Sequence, residues 1–294
     1  MKAGFVALVG RPNAGKSTLL NRFAGQKLAI VSDKPQTTRH RILGVRHSAD
    51  TQMVFIDTPG IHKPMHRMNR RMVEAATSAL GDADVIVLVV DATQPSGAGD
   101  RFVLDLVRSA GTPALVALNK VDQVQKPALL PLIASYADAA PFRAIVPVSA
   151  LTGDGVDALE REILAALPDG DPLYPEEYLT DQTERTLAAE LIREKVLRHT
   201  HDELPYTTAV TIDRFEEPAE PGGLTRIFAS ILVEQPSQKP IVVGKGGDMI
   251  KRIGTEARRD LEAMLDGRVY LDLHVKVRGD WRDDERLLDE IGVR

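Results

Sequence analysis

The chain has 294 residues, 43% of them apolar, with 37 basic and 42 acidic side chains and a formal net charge of −5. That length admits two domains of ordinary size, and that apolar content excludes a compositionally disordered chain. Without cysteine there are no disulfides, thiolate metal centres or cysteine nucleophiles; no apolar run approaches 18 residues, and the negative balance argues weakly against general nucleic-acid binding while leaving room for one local basic patch.

Met1 to Gly10 reads as a short strand-like segment rather than a signal peptide, so a soluble protein is expected. Its apolar part, residues 4–9, runs into Gly10-Arg11-Pro12-Asn13-Ala14-Gly15-Lys16-Ser17. A helix starting near Thr18 follows, with Leu19, Leu20 and Phe23 on one side. Strand, glycine loop and helix is the context that GxxxxGK[ST] requires of a phosphate-binding loop. Gly10, Asn13, Ala14, Gly15, Lys16, Ser17 and Thr18 are the expected cradle. Backbone N–H groups and the helix N-terminus attract phosphate, Lys16 reaches the β- and γ-phosphates, and the Ser17 hydroxyl ligates Mg²⁺.

Four more apolar runs, 53–56, 85–90, 114–118 and 144–148, read as strands buried on both faces. Helical patterns lie between them, for example at Asp100 to Ala110. A mainly parallel α/β sheet is predicted, with ligand at the carboxyl ends of its strands. The polar signals fall at those ends. Asp57-Thr58-Pro59-Gly60 follows Ile56; Asp57 is a candidate Mg²⁺ ligand, and the Gly60 N–H a sensor of the γ-phosphate. Asn119-Lys120-Val121-Asp122 follows Leu118. The Asp122 carboxylate can accept from two guanine donors that adenine lacks, while Lys120 packs over the base and braces the P-loop. Ser149, Ala150 and Leu151 can offer a backbone N–H to the guanine O6. Between these motifs, residues 32–39 are polar and form the expected γ-phosphate-ordered segment, with Thr38 preferred over Thr37 for the metal. A second mobile segment is expected over residues 61–71. His62 invites a general-base role, but a solvent-facing side chain is the simpler reading.

Charge shifts along the chain: residues 1–175 carry 19 basic and 17 acidic side chains, residues 176–294 carry 18 and 25. Three prolines, a glycine and four acids within residues 167–177 mark a boundary. Residues 1–168 are read as the nucleotide domain, 169–180 as a linker and 181–294 as a second domain. In the second domain, Arg185 to His201 reads as a helix, with strand-like stretches at 207–212, 225–233 and 269–277 and a short helix near 284–291. Gly244-Lys245-Gly246-Gly247 lies between a strand-like run, 239–243, and an amphipathic helix reaching about Leu265. It matches the GXXG loop of KH domains, whose glycines admit four nucleotides of a single strand. Gly244, Lys245, Gly246, Gly247, Ile250, Lys251 and Arg252 are the expected RNA contacts, with Ile250 and Ile253 turned toward an apolar groove that could accept bases. Residues 239–259 carry six basic and two acidic side chains, a local patch inside an acidic half.

The sequence resembles the Era family, bacterial Ras-like GTPases with a C-terminal type II KH domain. The resemblance covers nearly the whole chain. It rests on Gly10–Ser17, residues 36–41, Asp57–Gly60, Asn119–Asp122, Gly244–Gly247, Ile192–Lys195, Glu203–Tyr206 and Trp281–Arg286. It implies a GTP/GDP switch with Mg²⁺ and a role in assembly of the small (30S) ribosomal subunit. It also implies KH binding near the 3′ end of 16S rRNA, a monomer in the cytoplasm, and for some members peripheral contact with the inner membrane. Ile61 stands where Ras-like relatives carry a water-positioning glutamine and cannot orient water by hydrogen bonding. The resemblance implies that backbone groups, a bridging water or a monovalent cation help, with Lys16, Thr38, Gly60 and Asn13 as the expected catalytic residues. Asn13 matches the asparagine that supports K⁺ in potassium-assisted relatives. The alternative from the residues is an adaptor GTPase whose second domain binds protein; a single P-loop argues against the tandem-GTPase relatives.

Overall fold

The computed structural model describes residues 1–34, 36–60, 66–218, 220 and 222–293. The elements are β1 (Lys2–Val9), α1 (Lys16–Ala24), β2 (Ile42–Ser48), β3 (Thr51–Asp57), α2 (Arg67–Asp82), β4 (Val85–Asp91), α3 (Ala98–Ala110), β5 (Ala114–Asn119), α4 (Lys126–Ala139), β6 (Ile145–Pro147) and α5 (Val156–Ala166). After them come α6 (Glu184–His199), α7 (Leu204–Thr207), β7 (Thr208–Glu216), β8 (Leu224–Val233), α8 (Lys239–Val243), α9 (Asp248–Met264), β9 (Arg268–Val277) and α10 (Glu285–Glu290). Among the described residues they form two compact units. One holds residues 1–29, 38–60 and 69–181; the other holds residues 30–37, 66–68 and 182–293.

The first unit is a six-stranded sheet in the order β2-β3-β1-β4-β5-β6, parallel except for β2. The expected strands are there because Val6, Leu8, Val87 and Leu115 pack toward one helical layer while Ala7, Val9, Ile86 and Val116 pack toward the other. Phe23 of α1 stacks on Phe55 of β3, ring centroids 4.4 Å apart. The edge strand β2 lay outside the sequence reading. Its polar end, Arg46-His47-Ser48, and internal Gly44 hide the pattern, yet Leu43 and Val45 are buried against Val54. Residues 169–181 run along this edge: Gln52 accepts from the Leu173 and Tyr174 N–H groups at 2.6 and 3.0 Å, and Tyr174 stacks on Tyr178.

The second unit is a three-stranded sheet, β7-β8-β9, with β7–β8 antiparallel and β8–β9 parallel. Ile227, Ala229, Ile231 and Val233 of β8 alternate into a core shared with Leu191 and Ile192 of α6 and Ala257 and Leu261 of α9. Asp213 marks a bulge in β7 and ties the sheet together, accepting from Ser230 at 2.6 Å and Lys276 at 3.0 Å. Two expectations are corrected. Residues 239–243 are the helix α8 rather than a strand, because Pro240 sits in its first turn and suits a helix start. Ile253, expected to line a base-binding groove, is fully buried in the core. No helix among the described residues is long and apolar enough to cross a membrane.

Candidate functional site

The P-loop bends between β1 and α1 with Gly15 at φ +97°, a conformation that excludes most side chains. A Cβ there would meet Asn119 Nδ2 at 2.1 Å, so the glycine also makes room for the next motif. Asn13 adopts the left-handed region at φ 62°, which asparagine tolerates better than most. Lys16 is 5% exposed and donates to the Gly10 and Arg11 carbonyls at 3.2 and 3.1 Å. Burial lowers its pKa, against the attraction of Asp57. Arg11 is tethered to α3 by an ion pair with Asp100 at 2.8 Å.

Ser17, Thr38 and Asp57 converge. The Ser17 hydroxyl donates to Asp57 Oδ2 at 2.6 Å and lies 2.7 Å from the Thr38 hydroxyl, which reaches the same carboxylate oxygen at 3.4 Å. Burial raises the Asp57 pKa, opposed by Lys16 and by hydrogen bonds from Ser17 and Thr38. Its Oδ1 is buried without a hydrogen-bond partner among the described residues. Two hydroxyls and a carboxylate with an unpaired buried oxygen fit a hard divalent cation such as Mg²⁺. The neighbouring Thr37 is engaged otherwise: within the second unit its hydroxyl donates to the Lys34 carbonyl at 2.6 Å, and its own carbonyl accepts from the buried Arg193 guanidinium. Gly60 is pressed against the P-loop, where a Cβ would stand 2.6 Å from Pro12 Cα. Ile61 and His62 lie outside the described residues. Of the segment expected to be mobile, residues 67–71 are the first turns of α2.

On the base side, Asn119 is a bracket. Its Nδ2 donates to the Ala14 carbonyl at 2.8 Å and its Oδ1 accepts from the Ala150 N–H at 2.9 Å, joining the P-loop to the loop after β6. Lys120 has φ 68° and pairs with Asp91 at 2.6 Å. Asp122 is exposed. Ser149 is buried, its Oγ accepting from the Thr152 N–H at 3.1 Å, while Leu151 is 69% exposed. Arg22 of α1 donates to the Ala150 carbonyl at 3.2 Å and also to that of Leu151. The sequence reading missed Arg22, Asp91 and Asp100, since each pairs with a residue distant in sequence and belongs to no short motif.

In the second unit, the turn between α8 and α9 is built by three glycines with positive φ: 77° at Gly244, 64° at Gly246 and 86° at Gly247. At Gly244 a Cβ would also meet Met249 Cβ at 2.6 Å. Lys245, Lys251 and Arg252 are exposed and Ile250 is half-buried. Arg252 leans on Glu256 at 3.5 Å.

A family model described as a 50S ribosome-binding GTPase matches residues 5–120, and a KH-domain model matches residues 203–282. The GTPase Era of Geobacter metallireducens is 51% identical over 291 residues, 99% of this chain and 97% of that protein. The GTPase Era of Syntrophus aciditrophicus is 47% identical over 99% of this chain and 95% of its own length. Among solved structures, a point variant of Aquifex aeolicus Era bound to GDP·AlF₄⁻ superposes with a TM-score of 0.95 at 40% identity, covering 100% of this chain and 99% of that one. Era in complex with MgGDPNP and nucleotides 1506–1542 of 16S ribosomal RNA superposes with a TM-score of 0.96 at 41% identity and the same coverage.

Proposed function

The chain belongs to the Era family of GTPases, and from that premise we propose that it hydrolyses GTP to GDP and phosphate and assists 30S subunit assembly by binding the 3′ end of 16S rRNA. The observation that carries this reading is one chain holding both a Ser17–Thr38–Asp57 oxygen cluster beneath a P-loop and a three-glycine KH turn that contains Lys245 and is followed by Lys251. The relative solved with that rRNA segment supports it.

In this reading the backbone of Gly10–Ser17 and the Lys16 ammonium hold the phosphates, and Asp122 accepts from the guanine N1–H and exocyclic amine. Ser17, Thr38 and Asp57 hold Mg²⁺, which supplies charge neutralisation on the β- and γ-phosphates when bound. The Gly60 N–H donates to the γ-phosphate. Ile61 has no hydrogen-bonding group to orient water, so that task falls to backbone groups, a bridging water or a monovalent cation; a K⁺ ion, if bound, would be held by Asn13 and would supply positive charge beside the phosphates. Hydrolysis measured in K⁺ and in Na⁺ tests that step; equal rates at saturating GTP would remove it. Residues 169–180 join the nucleotide and RNA-binding parts, and the protein works as a monomer.

Crosslinking the protein to RNA in cells and sequencing the bound fragments tests the proposal. Enrichment at the 16S 3′ end is expected. A spread over unrelated transcripts would leave the enzymology and remove the assembly role.

A further inference from the structure

Lys120 is fixed by a carboxylate that the guanine motif does not contain. Asp91 closes β4 and is the register partner of Asn119 at the end of β5. Its Oδ2 takes the Lys120 ammonium at 2.6 Å. Its Oδ1 is fixed in turn, accepting from the Thr93 N–H at 2.9 Å and the Thr93 hydroxyl at 2.6 Å. The Ala92 N–H donates to the Asn119 carbonyl at 2.9 Å, stitching the two strand ends together. Side-chain exposures of 28% for Lys120 and 18% for Asp91 put the pair at the rim of the site, partly shielded from water. Burial alone would raise the Asp91 pKa, but hydrogen bonds from Lys120 and Thr93 outweigh it and hold the carboxyl below its usual range. The anchor is therefore charged at neutral pH.

A lysine is rotamer-rich, and one that must form a wall against a flat ring loses that freedom when ligand binds. Here the stem is already stretched between a left-handed backbone and a fixed carboxylate, so ordering precedes binding. We infer that Asp91 is a positioning residue for the nucleotide site: it anchors the Lys120 ammonium so that the lysine stem stands ready beside the guanine ring and slows release of GDP and GTP. Asp91 acts through Lys120 and touches no ligand. The inference rests on the guanine-site reading above.

The test is stopped-flow release of mant-GDP from the full chain. Asp91→Asn, nearly isosteric, is expected to release about fivefold faster, the equivalent of a partly exposed ion pair. Asp91→Glu should recover most of the loss, and Thr93→Val, which leaves both charges in place, should give a smaller increase. In a Lys120→Met background, Asp91→Asn should change nothing further, a non-additivity that general loosening of the fold would not produce. Unchanged release from Asp91→Asn, or an equal fold-change in the Lys120→Met background, overturns the inference and leaves the guanine reading intact. A wild-type chain that holds mant-ADP as well as mant-GDP overturns both.

Discussion

Ser17 and Asp57, forty residues apart in sequence, are joined by a hydrogen bond of 2.6 Å that closes the P-loop onto the end of β3. Removing the hydroxyl leaves a fully buried carboxylate with one fewer donor. Ser17→Ala is expected to destabilise the nucleotide-free chain by about 1–3 kcal/mol, the cost of an unsatisfied buried acceptor. Urea unfolding in the presence of a chelator reads this directly. The same variant should lose Mg²⁺-dependent hydrolysis.

Gly60→Ala separates binding from turnover. The added Cβ would stand 2.6 Å from Pro12 Cα, and backbone cannot yield as a flexible side chain does. On the proposed reading the Gly60 N–H meets charge that develops during hydrolysis, so displacing it is expected to lower kcat about a hundredfold. GDP affinity, measured by calorimetry, should change by less than about threefold, since GDP has no γ-phosphate for that donor to meet.

On the proposed reading, Asp122 selects the base. Replacing its carboxylate with an amide in Asp122→Asn turns one acceptor into a donor. The variant should lose about a hundredfold in GTP affinity, the scale of a polar site left mispaired. It should gain affinity for xanthosine triphosphate, whose C2 carbonyl accepts a hydrogen bond where guanine offers an amine. Competition between the two triphosphates on wild type and variant checks both directions.

How much of this was legible beforehand follows from where each signal lives. The P-loop, Asp57–Gly60, Asn119–Asp122 and the KH turn are local strings tied to element ends, and the structure sets each between the elements that frame it. β2 was hidden because an edge strand with one wet end loses its apolar run. The helix α8 was hidden because Ile241, Val242 and Val243 are β-branched, a preference that Pro240 and the packing of Val242 override. Arg22, Asp91 and Asp100 were invisible because their partners lie on other elements. The sequence reading prefers Thr38 to Thr37 although adjacent hydroxyls separate poorly; in the structure Thr38 meets Ser17 and Asp57, while Thr37 meets the Lys34 carbonyl.

The KH turn gives a salt-dependent signature. Lys245 is exposed within it and Lys251 just beyond it. Lys245→Ala and Lys251→Ala should each weaken binding of single-stranded RNA uniformly across sequences. Each should also reduce the slope of log affinity against log salt by about 0.7, one released counterion per lost phosphate contact. Titrations at three or more salt concentrations read the slope.

Asp213 gives a pH signature. Burial opposes its ionisation, but hydrogen bonds from Ser230 and Lys276 outweigh it and hold its pKa below the usual carboxylate value. The folded state thus binds this proton less readily than the unfolded chain. The stability it adds is complete above the unfolded pKa and is lost as pH falls through the folded one. Urea unfolding between about pH 5 and pH 3 should show wild type losing more stability than Asp213→Asn.

The most direct test of the RNA-binding role is equilibrium binding of RNA to the full chain with GDPNP and Mg²⁺. A 16S segment matching nucleotides 1506–1542, the span held by the solved relative, is compared with a scrambled sequence of equal length. The natural segment is expected to bind more than about a hundredfold tighter at physiological salt. Equal affinities would contradict that role.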